Sequence, residues 1–156
     1  MAEYQLSEIA RGVKDVILES LELEDKDYPL STSVMDELGA ESLDFLDIVF
    51  RREKKYRVKI ERGRMEKQLR ERFPDMQIKQ NTEITPELAE QLKHMLPEVA
   101  PERIEALRKI KELSGTFTIA SFVRLTIQSL YESDPATVVH CDHPSYPPLQ
   151  LGVHAA

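Results

Sequence analysis

Tryptophan is absent and aromatic residues make up only 6% of the chain, so any core must be built mainly from Leu, Ile and Val. A single cysteine, Cys141, excludes an internal disulfide and fits a reducing compartment. No apolar run approaches the roughly 18 uninterrupted residues of a membrane span, so no integral membrane segment is expected. The first residues, Met1-Ala2-Glu3-Tyr4, are neither basic nor strongly apolar, which predicts no signal peptide and a cytoplasmic protein. Internal repeats and low-complexity tracts are also missing.

What is present is charge, and it is unevenly placed. Across 156 residues, 41% are apolar, 31% are charged and the net charge is −7, the balance of a globular domain with an elaboration. Residues 1–47 hold thirteen acidic and three basic side chains, whereas residues 51–72 hold eleven basic and four acidic ones. The acidic front fits a basic protein partner or simple solubility. The basic run Arg51–Arg72 reads as a solvated helix face or a docking surface. Its interleaved acids and lone aromatic, Tyr56, argue against nucleic acid.

Periodicity predicts an all-α chain. Leu6, Ile9, Val13, Ile17 and Leu21 form one helical stripe, with Ser7 and Glu8 as capping chemistry near its start. A long loop to about Gly39 follows Pro29, anchored by Leu30, Val34 and Leu38. A second helix starts near Ser42, with Leu43, Leu46, Val49 and Phe50 as its apolar face and Phe45 and Ile48 flanking it. It either gives way to an extended stretch over Tyr56, Val58 and Ile60 or runs on through Met65, Leu69 and Phe73. Gly63 weighs against the long helix by about 1 kcal/mol relative to Ala. Thr85-Pro86-Glu87 supplies an N-cap, a first-turn proline and a dipole-facing acid for a helix carrying Leu88, Leu92, Met95 and Leu96. Pro101 opens another with Ile104, Leu107 and Ile110, and Thr118 caps a strongly apolar last helix through Leu130. From Asp134 onward, prolines without periodicity predict a flexible tail.

The chemistry concentrates in Asp36-Glu37-Leu38-Gly39-Ala40-Glu41-Ser42-Leu43-Asp44. Gly39 permits a positive-φ turn, and Ser42 then falls in the first turn of a helix. A phosphodiester on that hydroxyl would sit beside unpaired N–H groups and the positive end of the helix dipole.

The run from Leu38 to Ile60 resembles the acyl carrier protein family, whose second helix opens with L-G-x-D-S-L. The likeness continues without a gap through Leu43-Asp44-Phe45-Leu46-Asp47-Ile48-Val49-Phe50 to Tyr56 and Ile60. Thr118-Ile119-Ala120-Ser121-Phe122-Val123 is similar to the start of that family's last helix. The resemblance implies a four-helix carrier bundle from residues 1–60 and 118–133, a helical insertion at 61–117 between the second and last helices, and a tail at 134–156. It implies 4′-phosphopantetheine attached to Ser42, with acyl groups held as thioesters for fatty-acid, specialised-lipid or polyketide synthesis. It further implies that Asp36, Glu37, Glu41, Asp44 and Asp47 dock a phosphopantetheinyl transferase and the acyl-transfer and chain-elongation enzymes. On this reading the chain is a carrier and not an enzyme. The alternatives are an unmodified interaction module on the same bundle, or a peptidyl carrier, although those usually show G-G-x-S-L.

Three features depart from the family pattern. Glu41 replaces the usual aspartate before the serine. Arg51, Arg52, Lys54 and Lys55 make half of the second helix basic, and Arg52 falls where an apolar residue would normally face the acyl pocket. The insertion carries apolar stripes, Met65-Leu69-Phe73 and Leu88-Leu92-Met95, that must be covered by something. Self-association through the insertion is one expected solution. His140, Cys141, Asp142, His143 and His154 have metal-ligand side chains, but flanking prolines leave them without an ordered frame, so no metal site is expected.

Overall fold

The structure, a computed structural model, describes residues 3–59 and 64–140. In order along the chain it contains β1 (Glu3–Gln5), α1 (Leu6–Ser20), α2 (Ser42–Tyr56), α3 (Arg64–Arg72), α4 (Pro86–Met95) and α5 (Pro101–Glu105). A 3₁₀ segment (Ile110–Thr116), α6 (Ile119–Ser133) and β2 (Val138–His140) complete it. The architecture is mostly helical, as expected. It also has a small parallel pairing of β1 with β2 that joins Glu3 to Val138 and Gln5 to His140. The tail expected from Asp134 is therefore ordered over its first residues, because Val139 is buried in the core and Thr137 caps the end of α6 through the Leu130 carbonyl. His140 belongs to that strand, while Cys141, Asp142, His143 and His154 lie outside the described residues. No described helix is long and apolar enough to cross a membrane.

Two hydrophobic cores result. The first joins Leu6, Ile9, Val13 and Ile17 of α1 to Ile48 of α2, Val34 of the loop, and Ile119, Val123 and Ile127 of α6. Leu30 and Leu38 pack against its margin, so the long loop does lie over the core. That loop is bonded to the start of α6: the amides of Ile119 and Ala120 donate to the Thr32 and Leu30 carbonyls, and Val34 N–H donates to Phe117. The second core collects Leu69, Ile78, Leu88, Leu92, Leu96, Val99, Ile104, Ile110 and Leu113. The stripes that suggested self-association are thus covered by each other, with Phe73 and Met95 at the rim. The Met65 side chain is outside the described set.

Local chemistry explains most element ends. Thr85 and Thr118 cap α4 and α6, accepting from Leu88 N–H at 3.2 Å and Ser121 N–H at 3.2 Å. Gln5 takes the N-cap position of α1, which places Ser7 inside the helix and not before it. Arg57, in the left-handed region at φ 53°, ends α2, so α2 does not run on through Leu69. The α5 helix is shorter than its spacing suggests, because the chain tightens into the 3₁₀ segment to bring Ile110 and Leu113 into the second core.

α6 is the shared wall. Phe122, Val123, Thr126, Ile127 and Leu130 are buried, and so is Arg124. Arg124 pairs in a bidentate manner with Glu98, at 3.0 and 3.2 Å, with side chains 4% and 1% exposed. This pair fastens the segment after α4 to α6. Gly12, in the middle of α1, lets α2 approach closely: a Cβ there would run into the Tyr56 hydroxyl, which donates to the Ile9 carbonyl at 3.3 Å. Burial pushes that hydroxyl's pKa up to about 12.

Two substitutions test this packing. Gly12→Ala should destabilise by about 1–3 kcal/mol through overpacking, against a helix-propensity gain of about 1 kcal/mol, and Tyr56→Phe should absorb part of the loss. Glu98→Gln should cost about 3–5 kcal/mol because it leaves Arg124 charged and buried, while replacing both partners with apolar residues should cost less. Denaturant melts of the single and double variants measure both effects.

Candidate functional site

The loop before α2 is built to present a serine. Gly39 has φ +78°, and an added Cβ would meet nothing within 4 Å, so the need for glycine here lies in the backbone and not in space. Its N–H donates to Met35, and the next amide, Ala40, donates to Val34. Ser33 holds the loop's start, accepting from Asp36 N–H through its hydroxyl and donating its own N–H to Glu37 Oε2. Glu41 is extended and takes the N-cap position, and its N–H donates to Asp44 Oδ2 at 2.8 Å. Ser42 is therefore the first residue of α2 and is exposed. Among the described residues its hydroxyl has no hydrogen-bond partner, and neither do the amides of Ser42 and Leu43.

Of the five acidic residues expected to dock partners, Asp36 and Asp47 are tied to residues distant in the sequence. Asp36 is bridged at 2.7 Å by Arg103, which also donates to the Gly115 carbonyl. Arg103 comes from α5, so the second core reaches the serine's own loop. Asp47 accepts from Ser20 Oγ at 2.6 Å and from Arg51 Nε at 2.8 Å. The Ser20 hydrogen bond, then that of Arg51, holds its carboxyl below the ordinary 3.8. Arg51 also reaches Glu19 at 3.8 Å, so part of the basic half of α2 serves to brace α1. Neither Ser20 nor Arg103 carried any sequence signal for this role. Both are long-range partners.

The apolar face of α2 differs from expectation. Leu43, Leu46 and Phe50 are exposed, at 76%, 38% and 50%, and the inward side belongs to Phe45, Ile48 and Arg52. The helix is apolar on two sides, and the inner set is the one in register with α1 and α6. The exposed trio forms a strip at i, i+3 and i+7 beginning next to Ser42. On the inner side, the rings of Phe45, Phe117 and Phe122 meet at centroid distances of 5.4, 5.7 and 6.2 Å.

Among the described residues, no group of three His, Cys, Asp or Glu side chains could hold a metal ion. A cavity of about 350 Å³ lies between α3, α4 and α6. Arg72, His94, Arg124 and Gln128 line it, and Ser42 is not among its walls.

No protein-family model matches the chain, and no solved structure does. An acyl carrier protein of Campylobacter concisus is 34% identical to it over 59 residues, a stretch that covers 38% of this chain and 77% of that protein.

Asp47 offers a titration test. Ser20→Ala and Arg51→Ala should each raise the Asp47 midpoint towards 3.8. A depressed carboxyl stabilises the fold above its unfolded pKa and loses that contribution as pH falls through the folded value. The stability gap between wild type and Ser20→Ala should therefore close in acid. Carboxyl-carbon NMR titration measures the midpoints, and an unmoved midpoint in Ser20→Ala contradicts the assignment.

Proposed function

Because the chain belongs to the acyl carrier protein family, we propose that Ser42 is the attachment point for 4′-phosphopantetheine and that the protein carries acyl groups without catalysing their chemistry. The observation that carries this reading is an exposed, unpartnered serine hydroxyl at the first position of a helix, beside two amides without acceptors. A phosphodiester monoanion suits that place, because the free N–H groups and the helix dipole offset its charge. When bound, the group supplies a terminal thiol for acyl thioesters of fatty-acid, specialised-lipid or polyketide synthesis.

The chain's own residues do the rest. Gly39 and Glu41 set the corner, and the Ser42 hydroxyl is free to be deprotonated by a modifying enzyme. Residues 1–60 with 118–133 form the carrier unit, and residues 61–117 form an insertion with its own core. Partner enzymes, the phosphopantetheinyl transferase first, dock on the exposed strip Leu43, Leu46 and Phe50, framed by Asp36, Glu37, Glu41, Asp44 and Asp47. Apolar anchors inside a charged rim are the usual composition of such a surface. The rim chiefly sets association rate.

Co-expression with a broad-specificity phosphopantetheinyl transferase should add about 340 Da, one phosphopantetheine, by intact mass. Ser42→Ala should abolish the gain with helicity unchanged by circular dichroism. A wild-type chain that stays unmodified with several transferases would leave an unmodified interaction module as the better reading.

A further inference from the structure

Arg52 is buried in α2 at 1% exposure. Its Nη1 donates to the Phe122 carbonyl at 3.0 Å and to Thr126 Oγ1 at 2.9 Å, and its guanidinium carbon lies 5.0 Å from the centre of the Phe122 ring. Both acceptors are neutral. No carboxylate among the described residues lies within ion-pair distance, and Glu53 acts on it only from further away. Its Nε is a buried donor with no acceptor among the described residues. The contrast with Arg124 is direct: that arginine is as deeply buried, yet Glu98 meets it with both carboxylate oxygens. Burial lowers the Arg52 pKa to about 10. An interior cation with an unfilled donor is unfavourable unless something brings it an acceptor, and an anionic oxygen answers it better than a neutral one.

The position of Arg52 indicates what could arrive. It lies ten residues beyond Ser42, roughly 15 Å along the helix. Phe45 lies one turn beyond Ser42, and Arg52 two turns further on the same inner side. α2 and α6 both pack closely on α1, whereas α2 meets α6 through long side chains: Phe45 against Phe122, and Arg52 against Phe122 and Thr126. A chain tethered at Ser42 would be driven out of water towards an apolar interior, and this ring-filled seam begins with Phe45, one turn away. Running along it from Ser42, the chain passes Phe45 and Phe122 and then meets the guanidinium.

We propose that Arg52 sets the cargo of this carrier, favouring acyl chains whose far end bears a carboxylate that enters the α2–α6 seam and accepts from the guanidinium. The proposal rests on Ser42 being the attachment site, and the test separates the two.

Full-length apo-protein is loaded by a broad-specificity transferase from two synthetic coenzyme A thioesters of equal chain length, octanoyl and its ω-carboxylate counterpart, suberoyl. Intact mass reports loading. Hydroxylamine cleavage of the thioester then reports shelter, and the Nε–H resonance of Arg52 reports its hydrogen bonding. The suberoyl thioester should be cleaved about tenfold more slowly than the octanoyl one, the scale of one hydrogen bond to a charged group. The Arg52 Nε–H signal should shift with suberoyl and stay in place with octanoyl. Arg52→Leu should reverse the order of protection. If that variant does not fold, the resonance in the wild-type protein decides by itself. Equal cleavage rates with an unmoved resonance overturn the proposal and leave the carrier intact. No mass gain from either donor overturns both.

Discussion

A helix whose Phe122, Val123, Ile127 and Leu130 are buried, and whose Arg124 is buried as well, has little surface left to give to water. α6 therefore needs a layer on each side, and the chain provides two: α1, α2 and the long loop on one, the Glu98 segment with the second core behind it on the other. Burying a side chain of this size contributes roughly 1.5–3 kcal/mol, so neither layer is dispensable to a helix this apolar. Phe117, just before α6, packs at the margin of both cores and joins them where the helix begins. The presentation of Ser42 inherits this order, because the loop that leads to it is hydrogen-bonded to the first turn of α6.

Charge along α2 follows the helix dipole as well as any partner. Asp44 lies in the first turn and Lys54 and Lys55 in the last, each favourable where it stands. The acidic group around Ser42 is similarly less free than its composition suggests. Asp36 and Asp47 are engaged by arginines, so any partner that bound these carboxylates would first have to compete with those contacts.

Much of this was legible in the sequence where the signal is local. The turn at Gly39, the start of α2 at Ser42, and the caps at Thr85 and Thr118 follow from short-range rules about φ and unpaired amides. The inner side of α2 was not legible. Leu43, Leu46 and Phe50 form as good a stripe as Phe45 and Ile48, and only the tertiary partners decide which one turns inward. The burial of Arg52 could not be read from its charge. The stripes around Leu69 and Leu88 gave apolar surface to be covered, but not that each would cover the other. The strand at Val138–His140 was hidden for a related reason: three residues are too few for periodicity, and their partner lies at the opposite end of the described chain.

That strand pairing has a kinetic meaning. A parallel ladder that matches residue 3 to residue 138 closes a loop containing nearly everything else in the fold. Three residue pairs cannot compensate the entropy of closing so long a loop unless the helices between have already brought the ends together. The ladder is thus a late event in folding and an early one in opening. Tyr4, packed at the margin of the first core beside buried Val139, is placed where it would sense both.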